Sequence, residues 1–449
     1  MIITAVCGRL GIDRSVGFLL GARFGQIGFY AAAMVMIVRY MSPAEQGYYY
    51  TFFSLISLQA FVDLGLAIVI VSSSSHEWAF LATDDKRRIT GDPKALSRLV
   101  SLGRVALKWF GTAMLLFVPV VGFVGWIFFN RSPVPEVAWQ QPWLVLVLLT
   151  GISISMIPFN AILEGCNQVE KVNRTRFEQT LMEGAAVCLG LFLGAGLWVA
   201  AIAVAARLTR NLILVFIEYR HFFKNFWRPT TGPMVDWFGE IWPMQWRLGV
   251  SGLVTYFLNS LYNPVMFYYH GADVAGRMGI TLQMVTGLSI VAMSWISTKV
   301  PRFGSLISHQ NYDELDELWR RVSTISLFMI ATGALSLWLA LLFATRLGLP
   351  FTDRVLGLLP TGLFLLAAVV AQFVQCLVYY LRAHKREPIM IASVSICLGT
   401  GLLVWLLGHR WGPAGAAAGY LLVIGVGAKW IWNIWRRCRI EWHEIKPTP

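Results

Sequence analysis

The sequence is poor in charged residues, which make up 14% of its 449 residues, whereas 57% are hydrophobic and the mean hydropathy is +0.61. Soluble domains carry roughly 25% charged residues, so this composition excludes an ordinary soluble enzyme. Hydrophobic runs of about 20 residues, the length that crosses a bilayer as a helix, recur along the whole chain. The sequence therefore predicts a multi-pass membrane protein.

The sequence also lacks the residues of three kinds of chemistry. The six cysteines form no CxxC pair, which argues against a disulfide framework and a thiolate metal site. The seven histidines fall at predicted helix ends or in loops, so none is placed as a proton relay or catalyst inside the membrane. No GxxxxGK[ST] pattern is present, which excludes ATP hydrolysis by a P-loop. We expect no metal and no cofactor.

Hydropathy predicts an all-α membrane protein with twelve transmembrane helices. The first begins at Ser15 and is too long for the core of a signal peptide, so we expect it to be retained. The predicted spans are 15–38, 48–72, 106–129, 143–165, 177–195, 198–218, 246–269, 279–300, 322–345, 357–381, 388–408 and 413–435.

The distribution of basic residues predicts the orientation. Loops on the side of the two termini carry about 26 of the 37 Lys and Arg, and the opposite loops about 6, so both termini are expected in the cytoplasm. Two loops on this side, 73–104 and 220–245, are long enough for surface helices. The second has the composition of an amphipathic linker in the headgroup layer, with docking of a cytoplasmic partner as the alternative. Topology and anionic lipid explain the net charge of +13, so no nucleic acid is implied.

The two halves of the chain repeat one plan, because helix starts in the second half follow those in the first by about 211 to 231 residues. We predict an N-terminal six-helix lobe at 1–218, a cytoplasmic amphipathic linker at 219–245, a C-terminal six-helix lobe at 246–435 and a cytoplasmic tail at 436–449. Such duplication is typical of transporters with a substrate site between the halves, although static channels also contain repeats.

Three short segments resemble a known family. They are Glu45-Gln46-Gly47-Tyr48-Tyr49 between helices 1 and 2, its counterpart Ala275-Gly276, and Gly412-Pro413-Ala414-Gly415-Ala416-Ala417 at the start of helix 12. Gly47 and Gly276 would each permit a tight turn into the next helix. Together with the two lobes, these segments resemble the multidrug/oligosaccharidyl-lipid/polysaccharide exporter superfamily, specifically its polysaccharide (O-antigen-type) flippase branch.

The resemblance implies two lobes related by pseudo-two-fold symmetry, arranged as a V around a central cavity. It also implies alternating access in the bacterial inner membrane. The implied substrate is an undecaprenyl-pyrophosphate-linked sugar unit, flipped from the cytoplasmic to the outer leaflet. It does not identify the sugar.

Charged residues inside predicted spans are the candidates for function, because burying one at mid-bilayer costs at least ~2.5 kcal/mol. Folding the helix 1–2 hairpin about Pro43 puts Arg23 and Asp63 at the same depth. One interpretation is a structural ion pair. In the other, Arg23 contacts an anion, and Asp63 either orients Arg23 or takes a coupling proton or sodium. The repeat offset aligns them with Gly252 and Ala292, so symmetry does not demand the pair.

A second group lies in helices 5 and 6. Arg207 and Arg210 share a helix face, with Asn211 beside them. Folding the hairpin places Glu183 between the two arginines, and one acid cannot neutralise two guanidinium groups. The surplus positive charge predicts bidentate binding of a pyrophosphate or acidic sugar. The alternative is a structural network that also includes Glu178.

Two further residues complete the candidate site. Arg247 lies at the cavity entrance that the family implies, or snorkels to the headgroups. Gln59 contacts sugar hydroxyls or forms an interhelical hydrogen bond. The predicted substrate-binding residues are Arg23, Gln59, Arg207, Arg210, Asn211 and Arg247, and the predicted coupling-ion residues are Asp63 and Glu183.

The leading hypothesis is a flippase for a lipid-linked anionic glycan, with membrane lipids and the glycosyltransferases or polymerase of the same pathway as candidate partners. An ion-coupled exporter of small molecules on the same fold is the alternative. A glycan polymerase or acyltransferase would need a catalytic His or a pair of acids at one membrane face, and neither is visible. A lipid scramblase or a scaffold for glycosyltransferases stays open, and we expect no enzymatic activity.

Overall fold

The structure is a computed structural model whose contacts divide the chain into two compact units. The first unit comprises the described residues of 1–45 and 55–253, and the second unit those of 46–54 and 254–449. The structure describes residues 25, 28–29, 31–84, 86–131, 134–227, 232–243, 245–246, 249, 256, 258, 260–384, 386 and 388–444.

The helices of the first unit follow one another with short connections. They are α1 (Ala31–Tyr40), α2 (Pro43–Ile56, whose middle belongs to the second unit), α3 (Leu66–Trp78), α4 (Pro93–Asn130), α5 (Gln140–Ser155), α6 (Ile157–Gly165), α7 (Val169–Phe192) and α8 (Trp198–Leu212). A 3-10 turn and one α-helical turn extend α2 to Asp63, and a π-helical turn extends α8 to Glu218. Beyond it lie single helical turns at Arg220–Phe223, Lys224–Trp227 and Trp237–Ile241.

In its described residues, the second unit contains six helices joined by short connections. The helices are α9 (Tyr262–His270), α10 (Ala272–Ser297), α11 (Val300–Ser308), α12 (Tyr312–Arg346), α13 (Leu358–Ala383) and α14 (Met390–Glu444), with a 3-10 turn at Pro350–Arg354. Gly412 interrupts α14 with φ of 62° and ψ of −147°. The predicted boundary between helices 11 and 12 falls at this residue.

Seven helices of the described residues are long and apolar enough to cross a membrane, or eight if the bent pair formed by Pro43–Asp63 and Leu66–Trp78 counts as one span. Several run past their predicted ends. Helix α4 begins at Pro93 where 106 was predicted, because Asp92 caps it by accepting a hydrogen bond from the backbone N–H of Ala95 at 3.1 Å. Of the 24 residues in each of predicted helices 1 and 7, thirteen of the first and ten of the second lie outside the described residues.

The prediction of surface helices in loop 73–104 is wrong for its central part. Two short antiparallel strands, β1 (Leu81–Thr83) and β2 (Ile89–Gly91), form a hairpin there. Leu81 and Ile89 are buried, and the other residues of both strands are exposed. The register places Leu81 and Ile89 on the same face of the hairpin.

Segment 46–54 of α2 packs inside the second unit. Tyr50 Oη donates a hydrogen bond to Gln283 Oε1 at 2.5 Å, and Asn263 Nδ2 donates one to Ser54 Oγ at 3.1 Å. The predicted turn at Gly47 is wrong, because Gly47 lies within α2. A Cβ at Gly47 would lie 1.9 Å from the carbonyl oxygen of Ala272, so glycine permits this close approach.

Candidate functional site

A polar cavity of about 490 Å³ lies within the first unit. The turns that follow α2 contribute to its wall together with α5, α6, α7 and α8. Its polar lining residues are Ser57, Gln59, Asp63, Ser153, Asn160, Gln179, Arg207 and Asn211. Except for α7, these helices belong to the candidate membrane spans. Polar groups inside a membrane raise the free energy unless they have a partner or a ligand. This cavity is therefore the candidate functional site.

Asp63 lies where a membrane helix is broken. Leu64 and Gly65 both adopt left-handed conformations, with φ of 45° and 71°, and the axis bends by 42° before α3 begins. The break frees backbone groups. Asp63 Oδ1 accepts a hydrogen bond from the backbone N–H of Ala67 at 3.1 Å, and the indole N–H of Trp109 donates one to the carbonyl of Val62 at 3.1 Å. Broken helices that expose backbone and carboxylate groups to a cavity are a common construction of substrate and ion sites in transporters.

Arg207 supplies the positive charge of the cavity. Its side chain is 41% exposed, and its Nη1 lies 3.9 Å from Glu183 Oε2, which is a long distance for an ion pair. The side chain of Gln179, one helical turn before Glu183, donates a hydrogen bond to the backbone carbonyl of Arg207 at 3.4 Å. One guanidinium and one carboxylate, Asp63, thus line a cavity whose other polar groups are amides and hydroxyls.

Asn211 has an unused acceptor. Its side chain is buried, and its Oδ1 accepts no hydrogen bond from the described residues although it lines the cavity. A buried carbonyl without a donor costs about 1 to 3 kcal/mol.

Arg210 belongs to a buried ion-pair network rather than to the cavity lining. Its side chain is 9% exposed, with Nε 2.6 Å from Glu178 Oε2 and Nη2 3.1 Å from Glu218 Oε1. Glu218 also pairs with Lys171 at 2.6 Å. The predicted surplus of positive charge beside Glu183 is therefore wrong, because Arg207 and Arg210 each have their own acid. The structure instead contains the alternative that the sequence left open, a network of ion pairs between α7 and α8.

Two predicted site residues, Arg23 and Arg247, lie outside the described residues, and so does the proposed pairing of Arg23 with Asp63. The structure brings four of the others, Gln59, Asp63, Arg207 and Asn211, to one cavity. Glu183 stands behind Arg207 as its ion-pair partner.

Gln179 and Ser153 line the cavity although neither was a predicted site residue. Gln179 and Glu183 are four residues apart, which puts them on the same face of α7. This spacing in the sequence could have identified Gln179 as a site residue. Among the polar residues of the second unit, Gln372 Nε2 donates a hydrogen bond to Ser326 Oγ at 2.7 Å, which is an interhelical contact.

No protein-family model matches the sequence, and no curated protein is similar to it. Solved structures are similar over nearly the whole chain. An inward-facing multidrug resistance MATE family transporter of the MOP superfamily is 13% identical with a TM-score of 0.72, covering 94% of this chain and 96% of the other. The lipid II flippase MurJ in an inward closed conformation is 14% identical with a TM-score of 0.66, covering 95% and 90%.

A third similar structure is a MOP superfamily transporter from Pyrococcus furiosus, for which a binding pocket of reverse polarity suggests a different function. It is 13% identical with a TM-score of 0.52, covering 96% of this chain and 97% of the other. These structures are transporters rather than enzymes. The expected superfamily fold is confirmed, whereas the polysaccharide-flippase branch stays a prediction. The chain has the fold of MOP-superfamily transporters.

Proposed function

We propose that this protein is a flippase that moves a lipid-linked oligosaccharide or polysaccharide precursor across the bacterial inner membrane. The observation that carries the proposal is the cavity of the first unit, where Arg207 stands among four amide side chains, those of Gln59, Asn160, Gln179 and Asn211. Amides donate and accept hydrogen bonds as sugar hydroxyls require. A guanidinium binds phosphate or carboxylate oxygens in bidentate fashion.

The polyprenyl-pyrophosphate carrier supplies the anion in this proposal. Arg207 holds a phosphate oxygen or an acidic sugar, while the hydrocarbon tail stays in the lipid. Arg23 and Arg247 are proposed as further anion contacts, as the sequence predicts. Arg210 is assigned a structural role, because its side chain is buried and Glu178 and Glu218 contact its Nε and Nη2.

The topology that we propose has twelve helices in two six-helix lobes with both termini in the cytoplasm. The excess of Lys and Arg in the loops on the terminal side supports this orientation. Transport proceeds by alternating access, and the glycosyltransferases or polymerase of the same pathway are proposed partners.

Asp63 and Glu183 are the proposed coupling-ion residues. Asp63 lines the cavity at a helix break, and its second carboxylate oxygen is a candidate ligand for a proton or sodium ion. Glu183 pairs only loosely with Arg207, at 3.9 Å, so an anion that takes Arg207 would free Glu183 to accept a proton.

A second candidate function is ion-coupled export of small molecules. The carboxylate of Asp63 in the cavity favours it, because a cationic drug needs an acidic partner, and so does the likeness to a multidrug resistance transporter with a TM-score of 0.72. The presence of Arg207 in the same cavity disfavours a cationic ligand.

The test is the amount of lipid-linked glycan in each leaflet of cells that lack the protein. We expect build-up in the cytoplasmic leaflet, relieved by the intact chain and not by Arg207→Ala, with Arg207→Lys intermediate because lysine keeps the charge and loses the bidentate geometry. Arg436→Ala, an exposed arginine outside the cavity, is the control and should restore export.

Protein yield is measured for each variant, so that loss of export is separated from loss of folded protein. Normal delivery of lipid-linked units to the outer leaflet in cells without the protein would overturn the flippase proposal. Sensitivity of those cells to cationic drugs, relieved by the intact chain and not by Asp63→Asn, would then establish the second candidate.

A further inference from the structure

A second cavity of about 690 Å³ lies in the first unit at the end of the helix that terminates at Glu218. Its walls are mainly apolar, with Phe159 from α6, Phe216 from the π-helical turn, and Phe223 from the helical turn that follows. Its rim carries the basic residues Arg220, His221 and Lys224, and Trp227. Neither the candidate site nor the proposed transport function uses any of these residues.

The segment that forms this cavity is fixed to the unit. The rings of Phe222, Phe223 and Phe226 are buried. Arg104 Nε donates a hydrogen bond to the backbone carbonyl of Phe226 at 2.8 Å. A Cβ at Gly103 would lie 2.3 Å from the ring of Phe226, so this ring rests directly on the backbone of α4. The cavity is therefore built by the folded chain and is in place before any ligand arrives.

The basic rim is available for an anion. Arg220 and Lys224 are both exposed, and both line the cavity. Arg220 Nε lies 3.1 Å from Nε2 of His221, which gathers both side chains at the rim. The acid nearest in sequence, Glu218, is occupied by Lys171 and Arg210.

The surface beside the cavity is apolar and exposed. Phe216, Ile217 and Trp227 expose 56%, 65% and 77% of their surface. Phe216 and Ile217 end a helix long and apolar enough to cross a membrane. Aromatic residues with neighbouring basic residues at the end of a spanning helix are typical of the membrane–water interface. This composition fits a cavity whose apolar walls meet the acyl region and whose basic rim meets the headgroups.

We propose that this cavity binds an anionic phospholipid of the surrounding bilayer. Its phosphate contacts Arg220 and Lys224, with His221 as a further donor, and one acyl chain lies along Phe159, Phe216 and Phe223. The charge of the rim and the apolar depth of the cavity match the two ends of one amphiphile. An acidic peptide would match only the rim.

The test is binding of phosphatidylglycerol to the purified full-length protein in a neutral detergent, measured by native mass spectrometry and by the shift in thermal unfolding. Phosphatidylcholine with the same acyl chains and glycerol 3-phosphate are the reference probes. We expect phosphatidylglycerol to bind and to raise the unfolding temperature, and the two references to have little effect.

The double variant Arg220→Ala/Lys224→Ala is expected to weaken phosphatidylglycerol binding roughly 30-fold, because each basic residue near a membrane surface contributes roughly fivefold. The matched control, Arg436→Ala/Arg437→Ala, removes the same charge from two exposed positions of α14 and should bind as the unaltered chain does. Phe216→Ser tests the apolar wall at an exposed position, and weaker binding without loss of unfolding temperature is expected.

Equal binding by the Arg220→Ala/Lys224→Ala variant and the unaltered chain would overturn the proposal, as would equal binding of phosphatidylcholine. An equal shift with glycerol 3-phosphate would assign the rim to a soluble phosphate compound and also overturn the lipid site. None of these outcomes bears on the transport proposal, because the measurement contains no transported substrate.

Discussion

The two units place their polar groups differently. The described helices of the first unit carry charged residues within the candidate spans or in α7, among them Asp63, Glu183, Arg207 and Arg210. Two of these, Asp63 and Arg207, line a cavity. The corresponding interior of the second unit is an apolar cluster that includes Phe303, Trp319, Tyr380 and Trp435. Its ion pairs lie near helix ends, such as Arg302 with Glu314 at 2.6 Å.

Equivalent positions of the repeat make the contrast sharper. The offset aligns Asp63 with Ala292, which is buried in α10 and whose carbonyl accepts a hydrogen bond from Ser326 at 2.7 Å. Helix α10 runs unbroken from Ala272 to Ser297, whereas the chain breaks after Asp63. At this position the first unit therefore has a helix break and a carboxylate, whereas the second unit has a continuous helix and an alanine.

The largest expected effect separates the two arginines of the first unit. Arg210→Ala leaves Glu178 and Glu218 without their buried cation and should lower the free energy of unfolding by about 3 kcal/mol, the lower end for breaking a buried pair. Arg207→Ala should change it by less than about 1 kcal/mol, because that pair is long and half exposed. Denaturant titration of the purified protein measures both.

The exchange Arg210→Glu with Glu178→Arg provides the second half of that test. Partial recovery of stability is expected, since the pair is restored while the contact with Glu218 becomes repulsive. Equal stability of the Arg207→Ala and Arg210→Ala variants would contradict the division into a ligand site and a structural network.

Replacing a glycine by alanine at the helix break is expected to change the free energy of unfolding less, and with a different sign from the matched change in the second unit. Gly65→Ala places a side chain at φ of 71° and should destabilise the protein by about 1 kcal/mol. The matched change Gly287→Ala lies inside α10, where an added Cβ meets nothing within 4 Å, and should be neutral or stabilising by up to about 1 kcal/mol. Thermal unfolding of both variants checks the signs, and destabilisation by Gly287→Ala would contradict the contrast.

The smallest expected effect is a pH dependence in the second unit. Burial lowers the pKa of His384 from its ordinary value of 6.5, and the nearby His443 and Arg386 lower it further. Its Nδ1 lies 3.0 Å from the carbonyl of Tyr380, which requires the proton on Nδ1, and its buried Nε2 has no partner among the described residues.

The unfolded chain therefore binds a proton more readily than the folded one. The stabilisation that neutral His384 contributes is complete above pH 6.5. It declines as the pH falls from 6.5 through the pKa of His384 in the folded state. Thermal unfolding at pH 7.5 and pH 5.5 measures the decline. His384→Gln should reduce it and the exposed His309→Gln should leave it unchanged, while an unchanged decline in His384→Gln would assign it to other groups.

Much of the fold follows from hydrophobicity along the chain, because a long apolar run has few alternatives to a spanning helix. The ends of the helices do not follow from it. Helix α12 begins at Tyr312, ten residues before the predicted span, where Asn311 caps it by accepting from the backbone N–H of Glu314 at 3.4 Å. Caps and ion pairs extend a helix into water at positions where hydropathy gives no signal.

The site was predictable to a similar extent. Gln59, Asp63, Arg207 and Asn211 were candidates because polar residues are rare in apolar spans, and one cavity contains all four. The partner of Arg210 was not predictable in full. Glu218 reaches Arg210 from the π-helical turn Ile213–Glu218, which shifts the helix face on which a residue lies relative to a regular α-helix.

Segment 46–54 of α2 has a consequence for the order of events during synthesis. Its hydrogen-bond partners come much later in the chain, since Ser54 and Asn263 are 209 residues apart and Tyr50 and Gln283 are 233 apart. At about 5–20 residues per second, the ribosome needs on the order of 10 to 40 s to supply them. During that interval the early helix presents its hydroxyl and amide groups without their final partners, so the nascent chain depends on the insertion machinery or on temporary contacts until the second half arrives.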